Sequence, residues 1–147
     1  MAEDGTEQRP VIVHRAVLGS VERFFGVMLE HFSGDLPLWL APEQARVLPV
    51  SDRFMEAGRA VRDRLVEAGL RAELDERSEK LGAKIRDGEL AKIPVLLVVG
   101  AREAESGSAS VRVRHRGDLG SQALDGIITT MTTTVRKRVL NPWPEAQ

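Results

Sequence analysis

The segment Ile93-Pro94-Val95-Leu96-Leu97-Val98-Val99 is the longest apolar run of the chain, and it is the length of a strand. It has no polar face, so a strand from Pro94 to Val99 must be covered on both sides and belongs in the middle of a sheet. That demands a layer of helices above and another below, and the neighbouring sequence supplies them. Ala45 to Val50 is a strand, after which Ser51-Asp52 offers an N-cap. Phe54, Ala57, Val61, Leu65 and Ala68 then recur at helical spacing until Gly69. Arg71 to Asp75 alternates in polarity as a second strand. Ser78 can cap a helix that turns Leu81, Ile85 and Leu90 inward. Gly100 ends the central strand. Two short strands follow, at Glu103-Ala104-Glu105 and from Ser110 to His115, joined by a turn at Ser106-Gly107-Ser108. A last helix runs from about Ser121 to Leu140, with a weakly helical threonine-rich middle around Met131, and Pro142 and Pro144 close the ordered chain. The pattern predicts an α/β fold of three layers over residues 43–147.

A composition shift near residue 42 separates this unit from what precedes it. Residues 1–10 are polar, and Val11-Ile12-Val13 reads as a short strand. Gly19-Ser20 opens a helix with Val21, Phe24, Phe25, Met28, Leu29 and Phe32 on one stripe, and Gly34 stops it. Leu36 to Pro42 is an apolar connector bracketed by prolines. The expected organisation is a strand-helix unit with its connector at 1–42, followed by an α/β domain at 43–147.

Several function classes fall away on composition. The 147 residues include no cysteine, which excludes disulfides, thiolate metal sites and cysteine nucleophiles. No apolar run approaches the roughly 18 residues of a membrane span. The acidic start, Met-Ala-Glu-Asp-Gly-Thr-Glu-Gln, is the reverse of a secretory or transit signal, so a cytoplasmic location is expected. With 21 Lys+Arg against 22 Asp+Glu the net charge is −1, so neither a membrane nor DNA is the expected partner. Any RNA binding has to come from local patches.

One such patch is Arg112-Val113-Arg114-His115-Arg116. As a strand it projects three guanidinium groups from one face, an arrangement that repels itself and invites an anion. The same pattern also suits an edge strand guarded by charge. Arg136-Lys137-Arg138, in the last helical turns, complements the helix dipole but could join the first cluster in one phosphate-contacting surface. Tyrosine is missing and no Phe or Trp lies between Phe54 and Trp143, so base reading would proceed by hydrogen bonds, not stacking. Arg23, just inside the helix capped by Ser20, sits near the positive end of the dipole, which costs a few tenths of a kcal/mol. Such a placement suits a phosphate ligand, or pairing with Glu22 or Glu30. His14 has no thiol partner and is an isolated histidine. The chain carries no Ser/His/Asp order, Walker loop or His-Glu-x-x-His motif.

The run from Arg9 to Phe24, containing Val11-Ile12-Val13-His14-Arg15-Ala16 and Gly19-Ser20-Val21-Glu22-Arg23, resembles motif 3 of class II threonyl-tRNA synthetases. Glu30-His31-Phe32-Ser33-Gly34 and Pro37-Leu38-Trp39-Leu40-Ala41-Pro42-Glu43-Gln44 are similar to that family's bridge into its C-terminal domain. Asp75, the stretch Glu79 to Arg86, Lys92-Ile93-Pro94, Val98-Val99-Gly100, Glu105-Ser106-Gly107, Val111-Arg112-Val113-Arg114 and Asp118-Leu119-Gly120 resemble the anticodon-binding domain. The resemblance spans nearly the whole chain with its spacing kept. It departs at Val95, where the family commonly has Tyr, and at Gly88, where it often has a better helix former.

For residues 43–147 the resemblance implies an anticodon-binding domain, a five-stranded mixed sheet with three helices, gripping threonine tRNA. Ser78, Glu103 and Arg112 fall at positions that contact anticodon bases in that family. Lys80, Lys84, Arg86, Arg114 and Arg116 are assigned to backbone phosphates by charge and position. For residues 1–42 it implies only the end of a catalytic domain, with Arg23 as the ATP-contacting arginine, Ser20 beside it, and His14 as one of three zinc ligands. Motifs 1 and 2 and two zinc ligands are absent, so this chain alone is expected to be inactive and to hold no cofactor. ATP, Mg and Zn are implied for the full-length enzyme. The chain is expected to begin inside a domain, and the helix stripe would then lose its covering. Leaving five of those side chains wet would forgo about 7–15 kcal/mol of burial. Self-association, or docking on a full-length synthetase through residues 20–40, is the alternative to RNA reading.

Overall fold

The computed structural model describes residues 5–7, 9, 11–141 and 143. The apolar run becomes β3 (Val95–Val99), the middle of five strands. On one side lies β1 (Ala45–Pro49) and beyond it β2 (Ala72–Leu74), all three parallel. On the other side β4 (Ser108–Val113) and then β5 (Gly117–Ala123) continue antiparallel. The order β2-β1-β3-β4-β5 is that of a mixed sheet.

Alternation along the strands sorts the core into two layers. Ala45 and Val47 of β1, Val95, Leu97 and Val99 of β3, and Ala109, Val111 and Val113 of β4 face one side. There they meet Val61 and Leu65 from α2 (Met55–Glu67) and Leu124, Ile127 and Met131 from α5 (Leu124–Lys137). Leu48, Leu96 and Val98 face the other side, against Leu81 and Ile85 of α3 (Leu81–Leu90). α3 covers β1 and β3, and the β4–β5 half of that face has no helix over it.

Gly88 explains itself through packing. A Cβ there would stand 2.7 Å from Leu96 Cδ2, so the glycine that weakens α3 as a helix lets it lie close on β3. Gly58 does the same for α2, where a Cβ would stand 2.8 Å from the Pro49 ring.

Four local expectations are corrected. Glu103-Ala104-Glu105 is not a strand but lies in α4 (Ala101–Ser106), a run of good helix formers closed by Gly107 at φ +64°. The fifth strand is β5, whose Gly-Asp-Leu-Gly-Ser-Gln-Ala has little intrinsic strand preference and is held by pairing with β4, and α5 starts at Leu124 instead of Ser121. The N-cap of α3 is Lys80, not Ser78, and Leu90 is 71% exposed. Val11, Ile12 and Val13 form no strand and are 91%, 84% and 84% exposed, with no strand among the described residues to pair with. The proposed ends of order at Pro142 and Pro144, like Pro10, lie outside the described residues.

In the opening third, α1 (Val21–His31) forms where its stripe requires, with Ser20 Oγ accepting from the Arg23 N–H, yet none of its residues is buried. The connector is different. Leu36, Leu38 and Ala41 are buried and Leu38 joins the α2–α5 core. Buried Gln44 donates to Leu38 O and accepts from the Arg71 N–H, while the Arg71 guanidinium donates to Trp39 O and Ala41 O. The packed unit therefore starts at Leu36.

Candidate nucleic-acid interface

The uncovered half of the sheet carries Ser110 and Arg112 from β4 and Asp118 and Ser121 from β5, on the side that α3 leaves open. A bulge in β5 fits four residues, Asp118 to Ser121, opposite the three of Ser110–Arg112 and brings Asp118 beneath the arginine. Arg112 Nη1 donates to Asp118 Oδ2 at 3.2 Å, and Nη2 stands 3.9 Å from Glu89 Oε1 at the end of α3. Arg112 Nε is buried and has no hydrogen-bond partner. The arginine forms one wall of a cleft of about 360 Å³ between the last turn of α3 and the β4–β5 turn.

Glu103, expected on a strand, lies in the first turn of α4, where its Oε2 accepts from the Gly100 N–H at 3.2 Å. That places the carboxylate beside Val50, at the carboxyl end of β3. Arg112 pairs with Leu96 near the opposite end of β3, so the two residues are about 13 Å apart along the sheet. Ser78 is exposed in the loop after β2. Its neighbour Arg77 holds that loop by forking onto Asp75 at 2.7 and 3.0 Å and reaching Asp87 at 2.8 Å. The Arg77 hydrogen bond keeps the Asp75 carboxyl below its ordinary value, against the upward push of burial.

The remaining cations separate into two groups. Lys80 and Arg86 are exposed. Lys84, assigned to phosphates by its charge, is 2% exposed, and its ammonium donates to Asp75 O at 3.1 Å and to Pro49 O at 3.5 Å. It ties the carboxyl ends of β1 and β2 together and is not available to RNA. Nor do the three arginines share a strand face, because β4 ends at Val113 and His115 turns the chain at φ +65°. Arg114, with 11% of its side chain exposed, donates to Lys92 O at 2.5 Å and Leu36 O at 2.9 Å. Burial lowers its pKa, with nearby Asp35 pulling the other way. Arg116 donates to Trp143 O at 2.8 Å. Arg138 lies 5.8 Å over the Trp39 ring at the end of α5, in the layer opposite Arg112, so the two basic clusters do not form one surface.

In residues 5–7, 9 and 11–32 the chemistry is sparse. Ser20 Oγ is engaged by capping and by Glu22, and Arg23 is exposed. His14 is exposed in coil, and among the described residues no three His, Asp or Glu converge on a metal-sized site. The residues present do not fit a zinc centre. Sequence reasoning missed Glu89 and Asp118, the two carboxylates beside Arg112. Asp118 is legible only as part of the Asp118-Leu119-Gly120 segment and Glu89 only as a charge, because contact between α3 and the hairpin is set by the fold.

The family profile described as anticodon binding domain matches residues 44–134. The threonine–tRNA ligase of Gloeobacter violaceus is 53% identical over 140 residues, covering 94% of this chain and 22% of that protein. The ligase of Thermus thermophilus is 51% identical over 142 residues, covering 97% of this chain and 22% of its own length. Among solved structures, the RNA binding domain of threonyl-tRNA synthetase from Cryptosporidium parvum superposes with a TM-score of 0.75 at 35% identity, over 83% of this chain and 30% of that one. A prolyl-tRNA synthetase from the same organism shares the fold, with a TM-score of 0.67 at 23% identity over 78% of this chain and 26% of its own. The chain spans about a fifth of the length of the ligases it matches. On its profile, its sheet order and its relatives, this chain belongs to the anticodon-binding domain family.

Proposed function

We propose that this chain reads the anticodon of threonine tRNA, as the C-terminal module of an enzyme that carries out ATP-dependent threonylation in the cytoplasm. The observation that supports this is Arg112, whose side chain is 27% exposed on the half of a sheet face that α3 leaves open. Guanidinium groups so placed offer fixed donors to a base edge. Glu103, about 13 Å along the same sheet, offers an acceptor, and Ser78 lies on the exposed loop after β2. That spacing suits two or three splayed bases of a loop. Lys80 and Arg86, both exposed on or beside α3, are the cations left to hold phosphates.

ATP, Mg and Zn belong, in this reading, to the rest of the enzyme. Ser20, Arg23 and His14 are remnants of its sites, and pyrophosphate exchange with threonine is expected to be nil for this chain. A second reading is favoured by α1, whose Phe24, Phe25 and Val27 are 45%, 51% and 58% exposed. An apolar helix face of that kind would dock on a full-length synthetase or on a second copy. The deciding experiment measures binding of threonine tRNA, and of copies altered at the second and third anticodon bases, across a salt series. A preference that survives rising salt supports base reading. Equal, steeply salt-dependent binding, or none, moves docking to the front.

A further inference from the structure

We propose that residues 33–35 are a brace point: Lys92, Arg114 and His115 grip them from the packed unit and set one direction in which α1 leaves it. The inference is independent of anticodon reading. It begins with how α1 ends. The Gly34 N–H donates to Leu29 O at 2.9 Å and the Asp35 N–H to Phe32 O at 2.8 Å, so residues 33–35 move with the helix as one body. The next residue, Leu36, is buried in the packed unit. Among the described residues, no hydrogen bond or ion pair joins α1 itself to anything beyond Asp35, and none of its residues is buried. The polar links that hold the helix therefore all pass through residues 33–35.

Two separate turns supply the grip. Lys92, just after α3, donates from Nζ to Ser33 O and stands 3.7 Å from Asp35 Oδ1. Its stem lies across Gly34, where an added Cβ would meet Nζ at 3.4 Å. His115, in the turn after β4, donates from Nε2 to Asp35 Oδ2 at 2.8 Å. Arg114 Nε lies 4.0 Å from Asp35 Oδ1, while Nη2 donates to Leu36 O and Nη1 to Lys92 O, which fixes the backbone that aims the lysine. Backbone strain marks the same place. Ser33, Lys92 and His115 are three of the four non-glycine residues with positive φ among the described residues, at +51°, +56° and +65°. Such backbone is costly and persists where its surroundings hold it firmly. Each of the three carries an atom of the brace. Phe24 and Phe25, exposed on α1, are thereby presented to the sheet at one angle, ordered in advance for a partner that docks on that face.

The test exploits a chain without cysteine. Val27→Cys on α1 and Glu67→Cys at the end of α2, both exposed, take nitroxide labels, and pulsed dipolar spectroscopy reads the distances between them. One narrow distribution is expected with the brace intact. Asp35→Ala and Lys92→Met should each broaden it about twofold or more. The urea midpoint should not move, because ion pairs this exposed contribute little to unfolding. Asp35→Asn, which keeps an acceptor for His115 but no charge for Lys92, should give an intermediate width. Glu30→Ala, on α1 outside the brace, should leave the width alone. A broad distribution with the brace unaltered, a width indifferent to both brace substitutions, or equal broadening by Glu30→Ala overturns the inference. Broadening that comes with a lower urea midpoint also overturns it, since the two side chains would then be holding the packed unit and not the helix.

Discussion

Arg112 and Arg114 are two residues apart in one basic segment, and the structure assigns them opposite kinds of work. Replacing Arg114 by Ala removes the hydrogen bonds that close Lys92 O and Leu36 O, groups 22 and 78 residues away in the chain. Hydrogen bonds from a charged donor contribute about 1.5–3 kcal/mol each, and with 11% of the side chain exposed water replaces them poorly. A loss of about 2–4 kcal/mol follows, which at a slope of about 1–3 kcal/mol per molar lowers the urea midpoint by about 0.7–4 M. Arg114→Lys should recover little, since an ammonium cannot fork across both carbonyls. Replacing Arg112 by Ala removes partly exposed ion pairs at 3.2 and 3.9 Å, which contribute about 1 kcal/mol or less. Its cost should appear in RNA binding, as a weakening of at least tenfold. Urea unfolding by circular dichroism and fluorescence anisotropy of a labelled anticodon stem-loop, on both variants, decide the matter. If Arg114→Ala unfolds like the wild type, or Arg112→Ala binds RNA undiminished, the division between structural and reading arginines is wrong.

Three further outcomes follow from the packing and charge network. Lys84→Met keeps the volume but leaves Asp75 O and Pro49 O without their buried donor, so it should cost about 2–4 kcal/mol in chemical denaturation, and a neutral result would contradict the bridging role. Gly58→Ala gains up to about 1 kcal/mol of helix propensity but sets a Cβ 2.8 Å from the Pro49 ring and 3.0 Å from Leu74, so it should destabilise, whereas Gly126→Ala, with open space around it, should not. Asp75, held low by Arg77, contributes stability that is complete above its unfolded value near 3.8 and is lost as pH falls through the lower folded value. The unfolding free energy of Asp75→Asn should therefore fall less steeply below about pH 4 than that of the wild type, and parallel curves would remove the ion pair from the account.

Exposure of α1 gives a different kind of expectation. No residue of α1 is buried, so removing residues 1–32 should change the unfolding free energy by less than about 1 kcal/mol and should abolish binding of an apolar dye. Retained dye binding would locate the apolar surface elsewhere.

What the linear chain settles here is whatever depends on periodicity and on local caps. An apolar run without a polar face can only be an interior strand, so β3 and the helices on both its sides follow from Ile93–Val99 and from the stripes at Val61 and Leu65 and at Leu81 and Ile85. Ser20 capping α1 is equally local. Pairing between distant segments is not. β5 has little strand preference of its own and exists because β4 is its neighbour, while Ala101–Ser106, free of such a neighbour, follows its helix propensity. Charge says even less about position. Lys84, Arg114 and Arg116 look in the sequence like cations awaiting phosphate, yet their partners are carbonyl oxygens supplied by residues 9 to 78 positions away. Arg112 looks the same and has a different fate, because the β5 bulge sets Asp118 beneath it and the end of α3 sets Glu89 beside it while 27% of its side chain stays exposed, against 11% for Arg114. Which cation is structural and which is left to bind is decided by desolvation and long-range contacts, and these exist only in the folded chain.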